Sequence, residues 1–155
     1  MIKRIGHFIN IILLSLTVLT IGSCDRHGTA WNEMDKAENL MDTKPDSALV
    51  VLENIPASSV KGKEAAARYA LLKSIALDKN CIDTTNFDVL QPAIDYYVKN
   101  GTPDEQFRTY YYQGRIYQNQ GDDDSAMQSF MNACDLRKQD VPRSEERFSR
   151  NAETD

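Results

Sequence analysis

The residues best suited to binding a partner are two arginines, a tyrosine and a glutamine at spacings of three and four: Arg108, Tyr111, Arg115 and Gln118. On an α-helix this spacing places all four side chains on one face. Arginine and tyrosine are enriched at binding hot spots, and guanidinium groups hold carboxylates in bidentate pairs. The sequence leaves a plainer interpretation open, in which this is a solvated face with an ion pair inside the helix, such as Glu105 with Arg108.

Patterns that would carry catalysis or metal binding are missing. The run Asp122-Asp123-Asp124 has acidic oxygens, but the glycine and final glutamate of a calcium loop are not at their positions, and an acidic first turn favours a helix. Both histidines precede residue 30, and no nucleophile with a base, zinc-binding pair or phosphate loop is present. The sequence therefore predicts a protein that is not an enzyme, with no metal and no cofactor.

Composition favours one soluble domain. The chain has 155 residues, of which 41% are apolar and 26% charged, and its net charge is −5. This acidic balance argues against nucleic acid as a partner, because such binding needs clustered lysines and arginines.

Cys81 and Cys134 are predicted to be unpaired thiols, Cys134 buried beside Ala133 and Cys81 partly buried in a loop.

Helical spacing of apolar residues runs through the chain from Trp31 onward, and no stretch alternates like a strand. Asn100-Gly101 predicts a left-handed residue that closes a helix, Thr102 to Glu105 predicts a capping box, and Gly121 predicts a turn. Six helices in three pairs are expected, over about 31–41, 45–55, 63–79, 87–97, 102–119 and 123–137.

The last pair carries the most specific motif in the chain. Its aromatic, glycine and alanine positions match the spacing of the tetratricopeptide repeat (TPR), which the chain resembles here. The sequence departs from the pattern at Gln113, where leucine is usual, and at Lys138, where proline is usual. The resemblance gives the role of repeat packing to six residues: Tyr110, Gly114, Tyr117, Ala126, Phe130 and Ala133.

Weaker copies of the motif surround Ala93 and Ala48, so the resemblance covers residues 31–142. It implies an all-α, right-handed solenoid of about three helix pairs. TPR proteins bind peptides or partner helices on the face lined by the first helix of each pair, which here includes Arg108, Tyr111, Arg115 and Gln118. The lysine and asparagine clamp of chaperone-binding TPRs is not matched.

The N-terminal residues resemble the signal of a bacterial lipoprotein. A basic start and a short apolar run lead to Leu19-Thr20-Ile21-Gly22-Ser23-Cys24, which is similar to a lipobox. The resemblance implies cleavage of residues 1–23 and acylation of Cys24, with residues 24–30 as a tether. Such an anchor would place the protein on a membrane of the cell envelope, with the outer membrane favoured.

The C-terminal residues 143–155 resemble the translation of a short-read sequencing adapter. They are therefore expected not to be native, and the helical domain is expected to be cut short. A solenoid whose last pair lacks a neighbour leaves an apolar side exposed.

These features predict a lipid-anchored TPR protein that binds an unidentified protein or peptide in the cell envelope. Two alternatives stay open: the sensor half of a membrane-spanning TPR regulator, and a nutrient-binding uptake lipoprotein. The single tryptophan and the short chain speak against the second alternative.

Overall fold

The computed structural model describes residues 28–140, with side chains described as far as residue 137. The predicted signal, Cys24 and residues 143–155 lie outside this range. Within it all regular structure is helical and no strand occurs, which confirms the predicted all-α class. The helices are α1 (Thr29–Leu40), α2 (Pro45–Glu53), α3 (Lys63–Lys79), α4 (Gln91–Asn100), α5 (Pro103–Gln120) and α6 (Asp123–Asp140), with a 3₁₀ turn at Ala57–Ser59.

The helices pack mainly against their neighbours in sequence. The most extensive contacts lie within three hairpins, α1–α2, α3–α4 and α5–α6. Between hairpins, α2 packs on α3 and α4 packs on α5. The first helices of successive hairpins also touch, α1 with α3 and α3 with α5. One helix of each hairpin therefore borders a common surface.

Small side chains allow these helices to approach closely. Met34, Leu52 and Leu90 are fully buried and fill the larger spaces between helices. Alanines make up much of the buried core, and five of them have no exposed surface: Ala37, Ala48, Ala67, Ala76 and Ala93.

Local signals set most helix ends. Thr102 and Glu105 form the predicted capping box, in which the Thr102 Oγ1 accepts from the Glu105 amide at 3.3 Å and the Glu105 Oε2 accepts from the Thr102 amide at 2.8 Å. Gly121 ends α5 in the left-handed region, with φ of 79°. Pro45 and Pro103 stand in the first turns of their helices, where no amide is needed.

The prediction for Gly101 was wrong. Its φ of −77° and ψ of 157° are extended, not left-handed. The Thr102 cap of α5 follows directly, so the chain leaves α4 in an extended conformation. Glycine is required here for space, because a Cβ would lie 2.8 Å from the Tyr97 carbonyl oxygen.

The start of α4 also differs from the prediction. The predicted helix includes Phe87, but α4 begins at Gln91 and Phe87 lies in the preceding turn. Its carbonyl accepts from the Gln91 amide at 2.7 Å, and its ring meets that of Tyr117 with centroids 4.9 Å apart.

Among residues 28–140, no helix is both long and apolar enough to cross a membrane.

Candidate binding groove

A groove of about 410 Å³ lies where α1, α3 and α5 meet, so each hairpin contributes its first helix. Apolar and charged side chains alternate around it. They are Glu38, Met41, Asp42, Ile75, Lys79, Phe107, Arg108, Tyr111 and Tyr112. We refer to this set as the groove.

Helical spacing places the groove residues of each helix on the same face of that helix. On α1 and the turn after it, Glu38 and Asp42 are four positions apart. On α3 and α5 the corresponding stripes include Ile75 with Lys79, and Arg108 with Tyr111. Each stripe is one face of its helix, because residues three or four apart are neighbours on the helix surface.

Glu38 forms hydrogen bonds to arginines of two other helices. One carboxylate oxygen accepts from the Arg68 Nη2 at 2.7 Å, and the other accepts from both terminal nitrogens of Arg108 at 2.8 and 2.9 Å. Arg68 also bonds Asp35 at 2.7 Å and lies 5.0 Å from the centre of the Trp31 ring. A single carboxylate on α1 thus holds arginines of α3 and α5.

Burial alone would lower the pKa of the Arg68 guanidinium. Its hydrogen bonds to Glu38 and Asp35 outweigh that effect, so the pKa is raised above its ordinary value. The guanidinium therefore stays charged and paired.

Arg115 is also paired, beyond the edge of the groove. Its Nε and Nη2 reach the Asp78 Oδ1 at 2.9 and 2.8 Å, and its Nη1 donates to the Gln118 side-chain oxygen at 2.7 Å. The hydrogen bond to Asp78 raises the pKa of Arg115.

Burial, together with the charge of Asp78, raises the pKa of Tyr112 to about 12, so this phenol is neutral at physiological pH.

Of the predicted stripe, Arg108 and Tyr111 line the groove, while Arg115 and Gln118 lie one and two turns further along α5. The sequence suggests an ion pair of Arg108 with Glu105, but Arg108 binds Glu38, and its Nη1 lies 3.8 Å from the Asp104 Oδ2. Glu105 is engaged in the capping box instead. Both arginines are thus bound to carboxylates of their own chain.

An aromatic cluster forms one wall of the groove. Tyr111 is 39% exposed, and its ring centre lies 5.1 Å from that of Tyr112, 6.4 Å from that of Phe107 and 5.7 Å from that of Phe130. The Arg137 guanidinium covers Phe107 at 4.7 Å. These contacts hold Tyr111 in place at the surface.

The residues matched to repeat packing lie mostly between α5 and α6. Gly114, Ala126 and Ala133 are buried, and a Cβ on Gly114 would come within 2.6 Å of the Phe130 ring. Tyr110 and Phe130 are half-buried, and Tyr117 is half-buried against Phe87.

Sequence reasoning missed the acidic side of the groove. Glu38 and Asp42 line the groove, and with Asp35, one turn earlier, they have the same helical spacing as the arginine stripe. This signal was overlooked because acidic residues at this spacing are common on solvated helix faces.

Asp122 caps α6, whose first turn contains Asp123 and Asp124. The Asp122 Oδ1 accepts from the Ser125 amide at 3.1 Å, and the hydrogen bonds with Ser125 lower the pKa of Asp122. Within residues 28–140, no group of three or more histidine, cysteine, aspartate or glutamate side chains is placed to hold a metal ion.

Cys81 and Cys134 are both free and both exposed, so the expected burial of Cys134 and the expected partial burial of Cys81 were both wrong. Cys134 follows the buried Ala133, and neighbouring helical residues point about 100° apart. Cys134 therefore faces solvent.

Two larger depressions, of about 700 and 580 Å³, each lie within a single hairpin. The groove differs from them because three hairpins must be assembled to form it.

No protein-family model, curated protein or solved structure matches this chain.

Proposed function

We propose that this chain is a TPR-like interaction protein and that its groove binds a segment of a partner protein. The observation that carries the proposal is the shared lining, since α1, α3 and α5 each supply side chains to one groove. Arrays of stacked helix hairpins use such surfaces for extended ligands.

The packing of the last hairpin supports the TPR part of the proposal. TPR hairpins need a small residue where the two helices cross, and Gly114 lies there against Phe130. The half-exposed Tyr111 supports the binding part, because a rigid aromatic side chain gives much contact area at a small entropic cost.

The proposal places the protein on the surface of a membrane in the bacterial cell envelope, with the outer membrane favoured. It is supported by the lipobox-like residues that end at Cys24 and by the short polar stretch between Cys24 and α1. An acyl anchor would hold the helical domain close to membrane-bound partners.

Site-directed cross-linking in bacterial cells tests both parts. The photoreactive residue benzoylphenylalanine replaces Tyr111 in the groove or, as the matched control, Gln128 on the exposed side of α6. We expect a discrete cross-linked adduct from position 111 and none from position 128. Fractionation of the same cells should find the chain with the membranes, and Cys24→Ser should release it.

Equal cross-linking from the two positions, or none from position 111 in a folded chain, would contradict binding in the groove. Circular dichroism of the purified variants establishes that they fold. A Cys24→Ser variant that stays with the membranes would contradict the lipid anchor and leave the groove result intact.

A further inference from the structure

The last helix, α6, differs from the second helices of the other hairpins in what covers it. Among residues 28–140, α6 has extensive contacts with α5 alone, whereas α2 and α4 also pack on the first helix of the following hairpin. Met127 and Met131 lie four positions apart on α6, and their exposed fractions are 62% and 52%. The exposed Cys134 lies on the same side, because residues three or four apart are neighbours on a helix surface. We call Met127, Met131 and Cys134 the outer face of α6.

The positions of α4 that correspond to these methionines are covered. A repeat spacing of 33 residues pairs Ile94 with Met127 and Val98 with Met131. Ile94 is half-buried against the core, and Val98 is half-buried as well. The opposite side of α4, with Tyr96, borders the open depression of about 700 Å³, so α5 packs on the side of Ile94 and Val98. The outer face of α6 therefore corresponds to the face of α4 on which α5 packs.

The first hairpin has the same arrangement. Leu49 of α2 corresponds to Ile94 and Met127, and it is half-buried against the core. Val51, on the other side of α2, borders the depression of about 580 Å³, so α3 packs on the side of Leu49. The next position on that side is Glu53, which ends α2 and is exposed. The first of the two positions is thus half-buried in both hairpins that precede another, and exposed in the hairpin that ends the described residues.

A second copy of the chain stacked head to tail does not fit this face. Such stacking would bring α1 against α6, as α3 lies against α2. The exposed residues of α1 are all polar or charged: Thr29, Asn32, Asp35, Lys36 and Asn39. Packing them on the two methionines would bury polar groups in an apolar contact, which costs free energy. The occupant has to be a helix that is apolar where it meets the outer face.

We propose that the outer face of α6 is the stacking face for a fourth helix hairpin, whose first helix packs on Met127 and Met131 as α5 packs on α4. The occupant is the segment of the native polypeptide that follows residue 142, where the adapter-like residues 143–155 stand in this sequence. Hairpins in such arrays bury their apolar faces by stacking on their neighbours. Since the first helices of successive hairpins touch, the added helix would also border α5 and lengthen the surface that α1, α3 and α5 share.

The test compares the 155-residue chain with a restored chain, in which the native codons after residue 142 replace those of residues 143–155. Sequencing of the native locus supplies these codons, and we expect them to encode two amphipathic helices within about 35 residues. Oxidation by hydrogen peroxide, followed by mass spectrometry of the peptides, measures the exposure of Met127 and Met131. Both should oxidise about tenfold more slowly in the restored chain, because oxidation follows exposure. The fully buried Met34 should oxidise slowly in both chains.

The two exposed cysteines provide a matched control. Iodoacetamide should modify Cys134 more slowly in the restored chain, and Cys81, which follows α3, equally in both chains. Equal slowing at the two cysteines would contradict a cover that is specific to α6.

Two double variants locate the contact. Met127→Glu with Met131→Glu should lower the urea midpoint of the restored chain by about 1 M, because it places charges in a buried contact, and should leave that of the 155-residue chain unchanged. Gln128→Glu with Asn132→Glu introduces the same pair of charges, also four positions apart, on the other side of α6. This control should leave the midpoints of both chains unchanged.

Unchanged oxidation of the two methionines in the restored chain would overturn the proposal. A native reading frame that stops, or that enters an apolar membrane span, before a further pair of helices would overturn it as well. A restored chain that forms a dimer through Met127 and Met131 in sedimentation velocity would assign the face to a second copy instead. None of these results bears on the groove, which cross-linking from position 111 tests separately.

Discussion

Cys81 follows α3 in a backbone conformation that suits glycine. Its φ is 58°, in the left-handed region. The Cys81 amide bonds the Asp78 carbonyl at 3.0 Å and the Ile82 amide bonds the Leu77 carbonyl at 3.0 Å, which is the Schellman pattern of a helix end. The end of α5 has the same pair of bonds, from the Gly121 amide to the Gln118 carbonyl and from the Asp122 amide to the Tyr117 carbonyl. The two helices therefore end alike, but α3 does so with a side chain that strains the turn.

Cys81→Gly is expected to stabilise the fold by about 1 kcal/mol, because glycine adopts the left-handed region without the steric cost of a Cβ. Urea unfolding followed by circular dichroism measures the change. Cys81→Ala is the control, since alanine removes the thiol but keeps the Cβ. An equal gain from both variants would show that the thiol, not the backbone, causes the strain.

At the level of elements, the contact between α5 and α6 depends on the absence of a side chain at position 114. A Cβ there would lie 2.6 and 2.7 Å from two carbon atoms of the Phe130 ring. The ring also packs against Tyr111, so it has little room to move away. The crossing point of this hairpin and the aromatic wall of the groove are thus one packing unit.

Gly114→Ala is expected to lower the free energy of unfolding by about 1 kcal/mol. Alanine favours a helix by about 1 kcal/mol, but overpacking at a tight contact costs typically 1–3 kcal/mol. Combining it with Phe130→Leu should cost less than the sum of the two single variants, because the smaller side chain leaves room for the new methyl. Strict additivity in urea unfolding would contradict this account.

The helix ends that depend on a few adjacent residues were predicted correctly. Those that depend on the position of another helix were not. The capping box at Thr102 and the turn at Gly121 depend on residues within a few positions, so the sequence alone identifies them. Gly101 was misread because its conformation follows from the immediate start of α5. Phe87 has the spacing of a helical residue, but it belongs to a turn and packs on Tyr117.

Two of the four residues in the predicted stripe lie in the groove, and the reason is similar. Helical spacing places Arg108 and Tyr111 on one face, and the structure has both in the groove. The partner of Arg108 is Glu38, which lies 70 positions away in the chain. A pairing of this kind depends on how three hairpins are stacked, and no local pattern encodes it.

At the scale of the whole molecule, Glu38 connects all three hairpins through hydrogen bonds to Arg68 and Arg108. Glu38→Gln is expected to lower the free energy of unfolding by about 1–2 kcal/mol, because an amide oxygen replaces a charged acceptor and half-buried arginines lose their counter-charge. Urea unfolding measures the loss.

Glu33→Gln is the matched control, on the same helix. Glu33 makes an exposed ion pair with Lys36 at 3.6 Å, and its loss should cost less than about 0.5 kcal/mol. Similar losses from the two variants would show that Glu38 acts as an ordinary surface charge.

The bond between Glu38 and Arg108 also bears on the order in which the chain folds. Most contacts join helices that are adjacent in sequence, and chains rich in such local contacts fold quickly. Most of these contacts lie within the three hairpins. The bond from α1 to α5 spans 70 positions and requires the middle hairpin to be ordered between them, so we expect it to form late. The groove would then be the last part of the molecule to take shape, and the first to open when the stack loosens.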